Sequence, residues 1–101
     1  MAEGKEIAQF STRLNRAAKD PAALLALGKS AFLSECYAEA VEAYKQCIAL
    51  DSRNAAAYYN LGVAWQALGK PREANRAFVK ALEIDPKHKA AQHALNLLAA
   101  Y

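Results

Sequence analysis

The sequence is poor in the residues that interrupt or cross-link a chain. Its 101 residues include four glycines, three prolines and two cysteines. So few turn-forming residues leave little room for long linkers, and we expect order over nearly the whole chain. Cys36 and Cys47 do not have the spacing of a metal site. We expect both to be buried free thiols rather than a disulfide.

Long apolar runs and a strong charge bias are also missing. No run approaches the roughly 18 apolar residues that span a bilayer, and the N-terminus lacks the apolar core of a signal peptide. We therefore predict a cytoplasmic protein without membrane insertion. The formal net charge of +3 is too mild to indicate nucleic-acid binding by itself.

Motifs for catalysis or metal binding are missing too. The chain has no nucleophile motif and no glycine-rich phosphate loop. His88 and His93 are five residues apart, a spacing that does not place two imidazoles on one helical face. We predict no catalytic residue, no metal and no cofactor, so the chain is expected not to be an enzyme.

What the sequence does contain is a pattern repeated after 34 residues. The second copy reads Tyr58-x-x-Leu61-Gly62-x-x-Trp65, Ala74-x-x-x-Phe78 and Pro86. The first copy reads Leu24-x-x-Leu27-Gly28 and Ala40-x-x-x-Tyr44. Segments 21–54 and 55–88 are identical at eight positions, most of them motif positions. The pattern resembles the tetratricopeptide repeat.

This resemblance implies an all-α fold, a right-handed α-solenoid of antiparallel helix pairs. We divide its single domain into an N-terminal capping helix (1–20), two repeats (21–54 and 55–88) and a C-terminal capping helix (89–101). The expected helices cover 4–18, 21–34, 37–50, 55–68, 71–84 and 88–100. The first is amphipathic, with one apolar face formed by Ile7, Phe10, Leu14, Ala17 and Ala18.

Several residues predict the ends and crossings of these helices. Asp20 and Asn54 are typical N-caps, and Gly69 suits a left-handed turn. Gly28 and Gly62 lie inside helices, where glycine costs about 1 kcal/mol relative to alanine. We therefore expect another backbone to pass close to both, with Ala40 and Ala74 as the small residues opposite.

The resemblance also implies a binding surface, because the first helix of each pair lines the concave face in this family. The predicted groove residues are Leu25, Lys29, Phe32, Leu33, Tyr59, Asn60, Val63, Gln66, His93 and Leu97, with Tyr101 beyond them. The alternative is that some of these side chains, above all Phe32 and Leu33, pack against the N-terminal helix.

One branch of the family binds acidic chaperone tails through a clamp of lysine, asparagine and arginine side chains. The matching positions here hold Leu25, Lys29, Asn60, Ala90 and Ala94, and only Asn60 agrees. Without the missing cations the charge-assisted hydrogen bonds of the clamp cannot form. We do not expect chaperone-tail binding.

A basic ladder, Arg72, Arg76 and Lys80, runs along the second helix of the second repeat. We interpret it as a solvated convex face, with Glu42 available to Arg76. Nucleic-acid binding would require interleaved aromatic residues or a broader basic field.

The sequence thus predicts a non-catalytic adaptor or scaffold for protein–protein interaction. Its partner would be a peptide or amphipathic helix of another protein, bound in the concave groove. The alternative is a homo-oligomer or a fragment of a longer array, associating through its terminal helices, because Leu97, Leu98 and Tyr101 make the C-terminal helix unusually apolar.

Overall fold

The computed structural model describes the backbone of residues 2–99 and the side chains of residues 9–99. Within that part the chain forms six helices and no strands. They are α1 (Ala2–Ala17), α2 (Pro21–Leu33), α3 (Tyr37–Leu50), α4 (Ala55–Ala67), α5 (Pro71–Ile84) and α6 (Lys89–Ala99). The predicted all-α solenoid of helix pairs is confirmed, and the bounds agree with the predicted ones to within about two residues.

The N-terminal ends of α2 and α4 are capped as the sequence predicts. Asp20 Oδ1 accepts hydrogen bonds from the backbone N–H groups of Ala22 (3.1 Å) and Ala23 (3.4 Å). Asn54 Oδ1 accepts one from the N–H of Ala57 (3.0 Å). These bonds satisfy donors that have no partner inside the helix.

The C-terminal ends of α2 and α4 share one geometry. Gly69 has the expected positive φ of 73°, and the N–H groups of Gly69 and Lys70 reach back into the last turn of α4. At the equivalent position of the first repeat, Glu35 also has a positive φ, 62°. A non-glycine residue there was not predicted, because nothing in the local sequence marks it.

Neighbouring helices pack pairwise: α2 against α3, α4 against α5, α3 against α4, and α6 against α5. Tyr44 and Phe78 are almost completely buried, one in each helix pair. The resulting array is elongated, with extents of 41 × 27 × 17 Å.

The structure corrects the expected role of the two helical glycines. A Cβ atom at Gly62 would lie 2.5–2.9 Å from three ring atoms of Phe78, and one at Gly28 would collide in the same way with the ring of Tyr44. The group that passes close to each glycine is therefore an aromatic ring from the second helix of its own pair, and not a backbone. Either Cβ would occupy space that the buried ring already fills.

Helix α1 packs on α2, at the open side of the first repeat. Ala17 is buried, and Phe10 and Leu14 are half-buried against the core. Ala18 was expected on the same face but is exposed. The side chain of Ile7 lies outside the described residues.

Cys36 and Cys47 do not form a disulfide, as expected, but only one of them is buried. Cys47 is inaccessible, and its Sγ donates to the carbonyl oxygen of Pro21 at 3.2 Å. Burial, and then the charge of Asp51, raise the pKa of the Cys47 thiol. Cys36 is only half-buried.

Candidate binding groove

The candidate groove is formed by α2 and α4, the first helices of the two pairs, and by α6, which follows the second pair. These helices contain no aspartate or glutamate, whereas α3 and α5 contain two glutamates each. Lys29 on α2, together with Lys89 and His93 on α6, are the basic residues of the three helices. The candidate groove is therefore apolar, with a few positive points and no carboxylate from these helices.

The predicted groove residues fall into two classes of exposure. The exposed ones are Lys29, Leu33, Gln66, His93 and Leu97, and the half-buried ones are Leu25, Phe32, Tyr59, Asn60 and Val63. Leu33 is 83% exposed and Leu97 is 49% exposed, so both leucines present apolar surface to water. Tyr101 lies outside the described residues.

The half-buried residues of the second repeat are supported by the core. The ring centroid of Tyr59 lies 5.7 Å from that of Phe78 and 5.1 Å from that of His88. Val63 packs against the same cluster, which also includes Ala94 of α6. The structure thus brings Tyr59 and Val63 together on one side of the candidate groove, where the buried Phe78 cluster supports them.

The half-buried residues of the first repeat form a separate group. Leu25 and Phe32 pack against a core cluster that both helix pairs share, and the ring of Phe32 lies 5.1 Å from that of Tyr37 on α3. Leu33 is too exposed to pack against α1, so the alternative interpretation is wrong for this residue.

His88 contributes to the site in a way that the sequence did not indicate. Its Nδ1 accepts a hydrogen bond from the N–H of Ala91 at 3.1 Å and thereby caps α6, while its ring packs on Tyr59. Histidine is not among the preferred N-cap residues, so the pattern carried no signal for this role. The His88 side chain therefore contacts both the first turn of α6 and Tyr59 of the candidate groove.

Two further properties of the described residues concern metal ions and membranes. No three histidine, cysteine, aspartate or glutamate side chains among them come together in a group that could hold a metal ion. None of the helices there is long and apolar enough to cross a membrane.

Stacked antiparallel helix pairs define an α-helical repeat protein of the protein-interaction class. A family model described as "TPR repeat" matches residues 28–69, and one described as "Tetratricopeptide repeat" matches residues 55–88. The chain belongs to the tetratricopeptide repeat family.

Solved structures and a curated protein are similar to this chain. A crystal structure of MamA superimposes with a TM-score of 0.85 at 26% identity, covering 93% of this chain and 55% of that one. The first tetratricopeptide domain of Spaghetti (RPAP3), bound to the HSP90 peptide SRMEEVD, superimposes with a TM-score of 0.82 at 22% identity, covering 98% of this chain and 81% of that one. Human protein O-mannosyl-transferase TMTC3 is 44% identical over 54 residues, which are 52% of this chain and 6% of TMTC3. The chain thus spans about half of MamA and a small part of TMTC3.

Proposed function

We propose that the chain is a non-catalytic adaptor or scaffold that holds an apolar or amphipathic segment of another protein in its concave groove. The observation that carries this proposal is the absence of carboxylates from α2, α4 and α6, next to the exposed side chains of Leu33 and Leu97. When a partner covers apolar side chains that are open to water, the free energy of the system falls, which favours binding. A helix or an extended peptide can do so along the groove.

The proposal favours an apolar partner over an acidic tail. The RPAP3 domain is bound to the acidic HSP90 peptide SRMEEVD. At the cationic clamp positions of such domains this chain has Leu25, Ala90 and Ala94, and Ala94 is buried. The charge-assisted hydrogen bonds that hold a carboxylate would therefore have no donors at these positions.

Affinity capture from a lysate of the source cells tests the groove. The wild-type chain is compared with Leu33→Ser/Leu97→Ser, which removes the two exposed leucines without touching the core. We expect the wild type to retain a partner and this variant to lose it, by about tenfold or more for two buried leucine contacts. Addition of the peptide SRMEEVD should not displace the partner.

The matched control is Leu50→Ser/Val79→Ser. These residues are 48% and 41% exposed and belong to α3 and α5, outside the groove helices. The control should retain the partner as the wild type does. Equal loss in both double variants, or retention in Leu33→Ser/Leu97→Ser, would show that the partner binds elsewhere.

Self-association through the terminal helix is a second candidate, favoured by the exposure of Leu97 on α6. Leu98, which we expected at the same seam, is half-buried against the Phe78 cluster. Sedimentation velocity over a range of concentrations distinguishes the two candidates. If the wild type is a dimer and Leu97→Ser is a monomer, self-association through α6 is supported. If the wild type is a monomer at every concentration, self-association is rejected.

A further inference from the structure

A second recess lies on a different face of α4. Tyr58, Leu61 and Trp65 of α4, together with Ala77 of α5, form the apolar floor of an open pocket of about 340 Å³. At 3.6 residues per turn, the pocket residues of α4 lie roughly 160° around the helix axis from the groove residues of the same helix. The pocket is therefore distinct from the concave groove.

The rim of this pocket carries the arginine Arg76. Arg76 forms no ion pair with any described residue, whereas the neighbouring Lys80 pairs with Glu83 (3.4 Å). Glu42, which we expected to face Arg76, instead accepts a hydrogen bond from Gln46 Nε2 at 3.2 Å. The Arg76 guanidinium is therefore left available to a ligand.

A second basic side chain, Lys45, lies over one of the floor residues, although it is not among the residues that line the pocket. Lys45 of α3 places its Nζ 5.2 Å from the centroid of the Trp65 ring, and Trp65 is only half-buried. The basic ladder of α5 thus borders an aromatic floor, although the sequence showed no interleaving of the two. Glu73 lines the pocket as well, so the positive charge is local and does not form a continuous basic field.

We propose that the pocket between α4 and α5 is a second protein-docking site, which takes an acidic segment of a partner protein that inserts one bulky apolar side chain. The aromatic and aliphatic floor would bury that side chain. A neighbouring carboxylate would accept charge-assisted hydrogen bonds from Arg76. The carboxylates of Glu73 and Glu83 would repel the evenly spaced phosphates of a nucleic acid. A protein segment that makes one charged contact with Arg76 therefore fits the pocket better than a nucleic acid does.

The single tryptophan of the chain provides a direct test, because Trp65 is part of the pocket floor. The probes are blocked pentapeptides with leucine, phenylalanine, methionine or isoleucine between two pairs of glutamates. We expect at least one of them to cause a saturable change in Trp65 emission. The same peptides with lysine pairs, or with a central serine, should bind about tenfold more weakly, since they lose the charge contact or the apolar contact.

Two arginines of the ladder form a matched pair of variants. Arg76→Gln should weaken peptide binding about tenfold, because the charge-assisted contact is lost. Arg72→Gln removes the same charge from the same helix outside the pocket lining, and should change binding by less than about twofold, since exposed charges interact weakly at a distance. Leu33→Ser/Leu97→Ser should bind the peptide as the wild type does, which separates this site from the groove.

Four outcomes would overturn the proposal. One is the absence of a saturable change with any of the four acidic peptides, and another is equal loss in Arg72→Gln and Arg76→Gln. A third is a change in emission with protein concentration alone, which would assign the pocket to a second copy of this chain. The last is displacement of the peptide by oligouridylate with a steep dependence on salt, which would assign it to nucleic acid.

Discussion

At the scale of single residues, each helix pair places a glycine beneath a buried ring, Gly28 under Tyr44 and Gly62 under Phe78. The ring fills the space that a Cβ atom would need, so the two helices can approach closely at this point. Two effects of opposite sign then decide what an alanine would do at either position. Alanine favours the helix, but it collides with a ring that has no free space around it.

The collision should outweigh the gain in helix propensity. Alanine gains about 1 kcal/mol in a helix interior, whereas overpacking a dense core costs about 1–3 kcal/mol. We expect Gly62→Ala to lower the free energy of unfolding by about 1 kcal/mol net, measured by urea denaturation. In a Phe78→Leu background the same substitution should be harmless or stabilising. A more stable Gly62→Ala single variant would contradict the observed contact.

Tyr44 should lower the free energy of unfolding of the chain at alkaline pH. Burial raises the pKa of Tyr44 from 10.0 to about 12. Above pH 10 the unfolded chain releases a proton that the folded chain retains, so the contribution is complete below about pH 10 and is lost as the pH rises towards 12. Between about pH 9 and pH 11, the free energy of unfolding should fall by roughly 1 kcal/mol more in the wild type than in Tyr44→Phe.

The Tyr44→Phe comparison isolates this one titration. Phenylalanine occupies the equivalent position 78 of the second repeat, so the substitution keeps a side chain that this fold already accommodates. The other tyrosines titrate in both proteins, and their effect cancels in the difference. Parallel loss of stability in the two proteins would show that the Tyr44 hydroxyl is not desolvated in the folded state.

At the scale of the element, the ends of α2 and α4 show how one geometry is made from two sequences. In both, a residue with positive φ lets the following N–H groups bond to carbonyls in the last turn of the helix. Gly69 adopts this conformation without a Cβ penalty, while Glu35 pays roughly 1 kcal/mol or more for it. The first hairpin therefore carries backbone strain that the second does not.

Relief of this strain should stabilise the chain. We expect Glu35→Gly to raise the free energy of unfolding by about 0.5–1 kcal/mol, the penalty less the greater freedom of glycine in the unfolded state. Thermal denaturation would record the rise in Tm. Glu35→Gln serves as the control, since it removes the charge and keeps the Cβ atom, and it should leave Tm unchanged. If both variants gain equally, the carboxylate and not the backbone is the cause.

At the scale of the whole molecule, an array of stacked helices has a middle and two ends. Helices α3 and α4 contact neighbours on both sides, whereas α1 packs on α2 and α6 packs on α5. Among the described side chains, α1 is anchored by Phe10, Leu14 and Ala17. In such arrays stability is set by contacts between neighbours, so the ends should open before the centre.

Hydrogen exchange followed by NMR would measure this gradient. We expect the slowest amide exchange in α3 and α4, faster exchange in α6 and the fastest in α1, because each end helix packs mainly on a single helix, α1 on α2 and α6 on α5. The variant Leu14→Ala should speed exchange in α1 while leaving α4 almost unchanged. Equal protection from α1 to α5 would instead mean that the chain unfolds as one cooperative unit.

The positions of the helices and the repeat architecture could be predicted from the sequence because their signals are local. Asp20 and Asn54 cap helices through bonds to residues two or three positions away, and the apolar spacing of α3 and α5 marks their whole length. The period of 34 residues then placed two equivalent hairpins in one stack. Lys29 and Leu33, which we predicted in the groove from their positions in this repeat, are exposed, and their binding of a partner stays a prediction.

What only the tertiary structure decided is the set of contacts between residues far apart in the chain. The ring over each glycine, the packing of His88 on Tyr59 and the meeting of the α5 ladder with Trp65 all depend on how neighbouring helices lie against each other. The positive φ of Glu35 belongs here too, since nothing in the local sequence indicates it. Local sequence determines which segments become helices. Which side chains lie next to each other on a surface depends on how neighbouring helices pack.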